Sequence, residues 1–200
     1  MALHPSKARA QPHLDTESAR ARLLARMPRG SVCAEIGVWK GDFSAEILRV
    51  VGPAKLYLVD PWEHEAGETY RHAWYGGGCS GGQAEMDRVH ASVAERFAPS
   101  IARAEVAILR LDSRAAARSL PDDHLDWVYI DGNHTYEFVR EDLASYYPKV
   151  KPGGWLTGDD YRLDGWWGDG VVRAVDELVA TGRCRLASIE GAQFVLQKPF

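Results

Sequence analysis

Five short apolar runs in this chain each give way to an acidic residue, and helix-length segments separate them. The runs are Val32–Ile36, with Glu35 just inside its end and Gly37 closing it; Lys55–Asp60; Glu105–Leu111, followed by Asp112; Leu125–Asp131; and Gly154–Thr157, followed after Gly158 by Asp159 and Asp160. Between and around them, apolar side chains recur every three or four residues. Ala19, Leu23, Leu24 and Met27 mark a helix that Asp15 or Thr16 can cap; Phe43, Ile47, Leu48 and Val51 mark a second. Val139, Leu143, Tyr146 and Tyr147 follow Thr135, a candidate cap, and Val171, Val172, Val175, Leu178 and Val179 mark the last helix. Continuous apolar strands alternating with helices predict a doubly wound, mostly parallel α/β sheet. RCRLASIE-GAQFVLQK alternates around Gly191, which predicts an antiparallel hairpin at or near one edge. Residues 1–14 read as a disordered tail and residues 15–200 as a single domain.

Ligands of open parallel sheets bind beyond the carboxyl ends of the strands. That rule turns attention to the acids. An acidic strand end is a common cap for the following helix, so each alone says little. Five on one edge point to a shared site, and adjacent Asp159 and Asp160 repel each other unless something positive sits beside them.

Charge and cysteine content narrow the chemistry. The chain of 200 residues carries 28 acidic and 24 basic side chains, a formal charge of −4, which gives no basic footprint for nucleic acid. Lys7, Arg9, Arg20, Arg22, Arg26 and Arg29 make the first thirty residues locally basic, and these read as a solvated face. Three cysteines far apart, with no CxxC pair, speak against a thiolate zinc site. Their odd number, with no secretory h-region at the N-terminus, predicts reduced thiols in the cytoplasm. No apolar run approaches the ~18 residues of a membrane span.

The turn Glu35-Ile36-Gly37-Val38-Trp39-Lys40-Gly41 is neither the G-x-G-x-x-G of dinucleotide enzymes nor a P-loop. By itself it fits a tight structural connection as well as a nucleotide site. Asp60, some twenty residues on, can accept hydrogen bonds from ribose hydroxyls, and Asp112-Ser113 is placed for the polar edge of an adenine. An acid for ribose without a phosphate loop favours an adenosine that carries no phosphates.

With these residues in view, AEIGVWKGDFS resembles motif I of class I S-adenosylmethionine-dependent methyltransferases, and LVDPW resembles the motif after their second strand. WVYIDGNHTYEFVREDLASYYPKVKPGGWLTGDDY is similar to the subgroup of metal-dependent small-molecule O-methyltransferases that includes macrocin O-methyltransferase (the methyltransferase family 24 type) and, more distantly, to the catechol O-methyltransferase type. The resemblance covers roughly residues 31–161. It implies a Rossmann-like, seven-stranded sheet. It implies S-adenosylmethionine on Glu35, Gly37, Gly41, Asp60, Asp112, Ser113 and Asp131, and Mg²⁺ on Asp131, Asp159 and Asp160. It implies His134 as the base for a small-molecule hydroxyl. Oxygen ligands without cysteine agree with Mg²⁺. A histidine at a loop–helix junction is more often structural, and beside a bound hydroxyl it becomes a candidate base.

Residues 61–82 form a long connection with Trp62, Tyr70, Trp74 and Tyr75 before Gly76-Gly77-Gly78, and read as a substrate loop or lid. Arg162–Asp169 holds Trp166 and Trp167. Both segments suit a wall over an acceptor, an aromatic patch over the sheet, or a homodimer interface. Strand four ends Asp131-Gly132-Asn133-His134, not the [DN]-P-P-[YFW] of DNA and RNA amino-methyltransferases. A non-catalytic adenosine-binding module, and a cephalosporin hydroxylase-like reaction on the same scaffold, stand as alternatives.

Overall fold

The computed structural model describes residues 12–200. The elements are α1 Pro12–Arg26, β1 Val32–Ile36, α2 Asp42–Val50, β2 Lys55–Val59, α3 Gly82–Arg96, α4 Ala98–Ala102, β3 Val106–Leu109, α5 Ser113–Ser119, β4 Leu125–Ile130, α6 Tyr136–Tyr146, β5 Val150–Gly158, α7 Gly170–Ala180, β6 Arg185–Glu190 and β7 Gln193–Gln197. One seven-stranded sheet runs in the order β3-β2-β1-β4-β5-β7-β6. β1 to β5 pair in parallel, and β7 pairs antiparallel with both β5 and β6. The doubly wound sheet and its closing hairpin are those the sequence predicts. The hairpin adds two strands, with β6 at the edge.

Alternation along each strand sends side chains to two cores. Leu23, Leu24, Ile47, Leu58, Met86 and Trp127 belong to the face covered by α1, α2 and α3. Ile36, Val128, Leu143, Tyr146, Leu156 and Val175 belong to the face covered by α5, α6 and α7. Several boundaries differ from expectation. α1 begins at Pro12, three residues before the expected cap, and the rest of the expected tail, residues 1–11, lies outside the described residues. β5 starts at Val150, which pairs with Leu125; the register then shifts across residues 151–154, and the ladder resumes with Trp155 opposite Trp127. Thr135 makes no side-chain cap on α6; its hydroxyl donates to Asn133 Oδ1 at 3.0 Å, which also accepts the Thr135 amide. No helix among the described residues is long and apolar enough to cross a membrane.

Candidate active site

The strand register sets the carboxyl ends of β2, β1, β4 and β5 side by side. Gly37 turns the chain off β1 with φ 89°, and a Cβ there would run into the carbonyl oxygen of Asp131. Glycine is what lets the two strand ends close on each other. Gly41, at φ 75°, opens α2 against the ring of Phe97. Glu35 is buried on the α2 side of the sheet and accepts the hydroxyl of Ser44. Burial pushes its carboxyl up to about 8, against the opposing pull of that hydrogen bond and of Arg20.

Asp60 is fully buried and saturated. Its Oδ2 accepts the amides of Val38 at 2.9 Å and Trp39 at 3.0 Å together with the hydroxyl of Tyr75, and its Oδ1 accepts the Trp62 amide at 2.7 Å. Tyr75 comes from the 61–82 segment, and its ring packs on Trp39 with centroids 4.8 Å apart. Trp39 and Trp62 both sit at positive φ, 53° and 44°. Non-glycine residues in that region are held there by their surroundings. Asp112, by contrast, is exposed and caps α5 by accepting the Ala115 amide at 2.8 Å. The hydroxyl of Ser113 donates to Asp142. Burial raises Asp142 to about 7. Sequence reasoning names no role for Asp142, which sits within a helical run as part of the quoted motif EDLASYY.

At the β4 and β5 ends, Asp131, His134 and Asp160 present ligand atoms within 4.8 Å of one another. His134 Nε2 lies 3.3 Å from Asp160 Oδ2. Burial lowers the pKa of His134 below the ordinary histidine range, with Asp160 and Asp159 pulling the other way. Burial also holds Asp131 well above the carboxylate range, opposed by Arg20 and reinforced by Asp159 and Asp160. Asp160 adopts φ 62° and also accepts Arg162 Nε at 3.1 Å. Asp159 turns inward: its Oδ1 accepts Gln193 and the Asp160 amide, and its Oδ2 accepts Arg20. Gln193 is a group that no sequence signal marked; it reaches the site because β7 inserts beside β5.

Arg20 is the exception to the solvated face read for the basic N-terminal segment, in which Arg22, Arg26 and Arg29 are exposed. Its Nη2 donates to Asp131 Oδ2 at 2.7 Å and to Asp159 Oδ2 at 2.6 Å, and its Nε donates to Asp159 Oδ2 at 3.0 Å. A positive group therefore does stand beside the paired acids, and it is supplied by α1. Aromatic groups flank the same place. The Trp167 ring lies 4.8 Å from His134, and Trp166 stands edge-on to both Trp167 and Tyr70. Asn133 Nδ2 donates to the Tyr70 hydroxyl at 2.9 Å, which ties the 61–82 segment to the β4 turn. Trp167 Nε1 is buried without a partner among the described residues.

A seven-stranded, mostly parallel sheet with an antiparallel β7 between β5 and β6 has the form of a Rossmann-like methyltransferase fold, and similarity to known proteins agrees. The profile described as methyltransferase domain matches residues 34–161, and the chain belongs to that family. An uncharacterized protein, R132 of Acanthamoeba polyphaga mimivirus, is 41% identical over 56 residues, which is 28% of this chain and only 25% of that relative's length. Among solved structures, the O-methyltransferase NovP superposes with TM-score 0.60 at 20% identity, covering 95% of this chain and 80% of its own. A Streptococcus mutans protein described as a methyltransferase, solved in complex with SAH, gives TM-score 0.56 at 10% identity over 96% and 99% of the two chains. The tRNA methyltransferase TrmK of B. subtilis gives 0.57 at 12% identity over 90% and 65%.

Proposed function

We propose that this protein transfers a methyl group from S-adenosylmethionine to a hydroxyl of a small-molecule acceptor, with a divalent cation, Mg²⁺ by its oxygen-rich donor set, at the Asp131–Asp160 cluster. The observation that carries the reading is His134, neutral by burial and 3.3 Å from Asp160, at the carboxyl edge beside Trp167. A neutral imidazole oriented by a carboxylate suits proton removal from an acceptor hydroxyl. The donor chemistry fits both absent groups. The Tyr75 hydroxyl on Asp60 stands in for a ribose hydroxyl, and the Arg20 guanidinium on Asp131 and Asp159 stands in for a cation.

In this reading Asp60 and the Gly37 turn bind the adenosine, with Glu35, Gly41, Asp112 and Ser113 shaping the surrounding turns. His134 takes the acceptor proton at the nitrogen that does not face Asp160. Trp166, Trp167 and Tyr70 exclude water and position the acceptor. S-adenosylmethionine supplies the sulfonium methyl, and a cation on Asp131 and Asp160 would lower the acceptor's pKa and orient it. A small acceptor is favoured over RNA by the net charge of −4 and by Asp131-Gly132-Asn133-His134 at the end of β4. Calorimetric titration of S-adenosylmethionine, in Mg²⁺ and in EDTA, followed by an acceptor screen in both, tests the proposal. Cofactor binding in both buffers and turnover only with Mg²⁺ are expected. No cofactor binding in either overturns it.

A further inference from the structure

Arg20 is not a surface side chain that happens to fold inward. α1 is seated by Ala19, Leu23, Leu24 and Met27, all in the core. Arg26 of the same helix pairs with Glu190 at 2.8 Å. The Arg20 guanidinium lies over the Phe43 ring, 5.1 Å from its centroid, and bridges carboxylates from two different strands. With Arg20 in place, every acceptor of Asp159 is engaged: Oδ2 by Arg20, and Oδ1 by Gln193 and the Asp160 amide. One oxygen of Asp131 is engaged as well. A divalent ion on Asp131 and Asp160 would have to share Asp131 with a guanidinium at contact distance, and so displace it or be repelled by it.

We propose that Arg20 is a built-in cation that competes with a divalent metal for Asp131 and ties Asp159 beside it, and so sets the metal affinity of the Asp131–Asp160 site. The inference rests on reading Asp131 and Asp160 as a cation site. Removing the guanidinium strips the arginine that bridges Asp131 and Asp159 and leaves two neighbouring acids that need another positive charge. The test is Mn²⁺ binding to the full chain by EPR titration, with melting curves in EDTA and in Mn²⁺, for wild type, Arg20→Met and Arg26→Met. Arg20→Met should bind Mn²⁺ about tenfold tighter or more, since a contact-distance repulsion is gone. It should melt lower than wild type in EDTA and recover with Mn²⁺, while Arg26→Met binds Mn²⁺ as wild type does. If Arg20→Met does not fold in either buffer, Arg20→Gln decides, because it removes the charge while keeping an amide that can donate to one of the carboxylates. Mn²⁺ affinity equal to wild type in the variant that folds overturns the competition and leaves the cation site standing. No Mn²⁺ binding by any variant, with S-adenosylmethionine still bound, overturns the cation site itself.

Discussion

The hydroxyl of Tyr75 donates to the same oxygen of Asp60 that receives the amides of Val38 and Trp39. The proposed ribose acid is therefore occupied by a side chain of the segment that passes over it. Cofactor binding must exchange a protein hydroxyl for a ribose hydroxyl, and the 61–82 segment has to shift for that exchange. Tyr75→Phe removes the competitor. It should tighten S-adenosylmethionine binding about tenfold in calorimetry, the scale of a hydrogen bond to a charged group. Unchanged affinity would place the ribose elsewhere.

His134 should be the group that limits activity on the acid side. Its pKa is depressed, so the base form persists below the usual histidine range, and kcat/KM should fall only at more acidic pH. His134→Gln should lose about 10²- to 10⁴-fold in kcat and the acid limb with it, with cofactor affinity unchanged. A variant that keeps the same acid limb would exclude His134 as the base.

The fold and the placing of the carboxyl-edge acids are legible in the sequence, and the exceptions have a common cause. Strand interiors, helix stripes and the carboxyl-edge acids follow from local periodicity, which a sequence displays directly. Asp60, Asp131, His134 and Asp160 stood out because strand ends fall at predictable places. Arg20 and Gln193 did not. Each reaches the site through tertiary packing: Arg20 is 139 residues from Asp159, and Gln193 is 34. In an α-helix, the residue facing the sheet edge differs from its solvated neighbours only through the partner, which the sequence does not reveal. Asp112 shows the opposite case, a motif position that the fold uses at least for capping.

Glu35 predicts a stability profile. Its carboxyl is raised from 4.5 to about 8, so the folded state holds the proton more tightly than the unfolded state over that interval. Stability from this group is full below about 4.5 and is lost as pH rises through about 8. Glu35→Gln should flatten the decline in Tm between these limits. An identical slope in both proteins would refute the assignment.

Leu23 is fully buried between α1 and the sheet. Leu23→Ala should cost about 2–5 kcal/mol by denaturant titration. The exposed pairs of Arg22 and Arg26 with Glu190 contribute far less, about 0–1 kcal/mol each. A loss below that range would mean that α1 is held chiefly by its charges.

The docking of α1 against the closing hairpin also bears on assembly. Gly191, in the turn between β6 and β7, meets Ala19, and Glu190 receives Arg22 and Arg26. During synthesis α1 emerges with its apolar stripe; α2 and the central core supply one part of its seat, and Glu190 of the hairpin lies 168 residues beyond Arg22. The proposed centre is thus complete only with α1 docked beside the inserted hairpin, two elements that lie far apart in the chain.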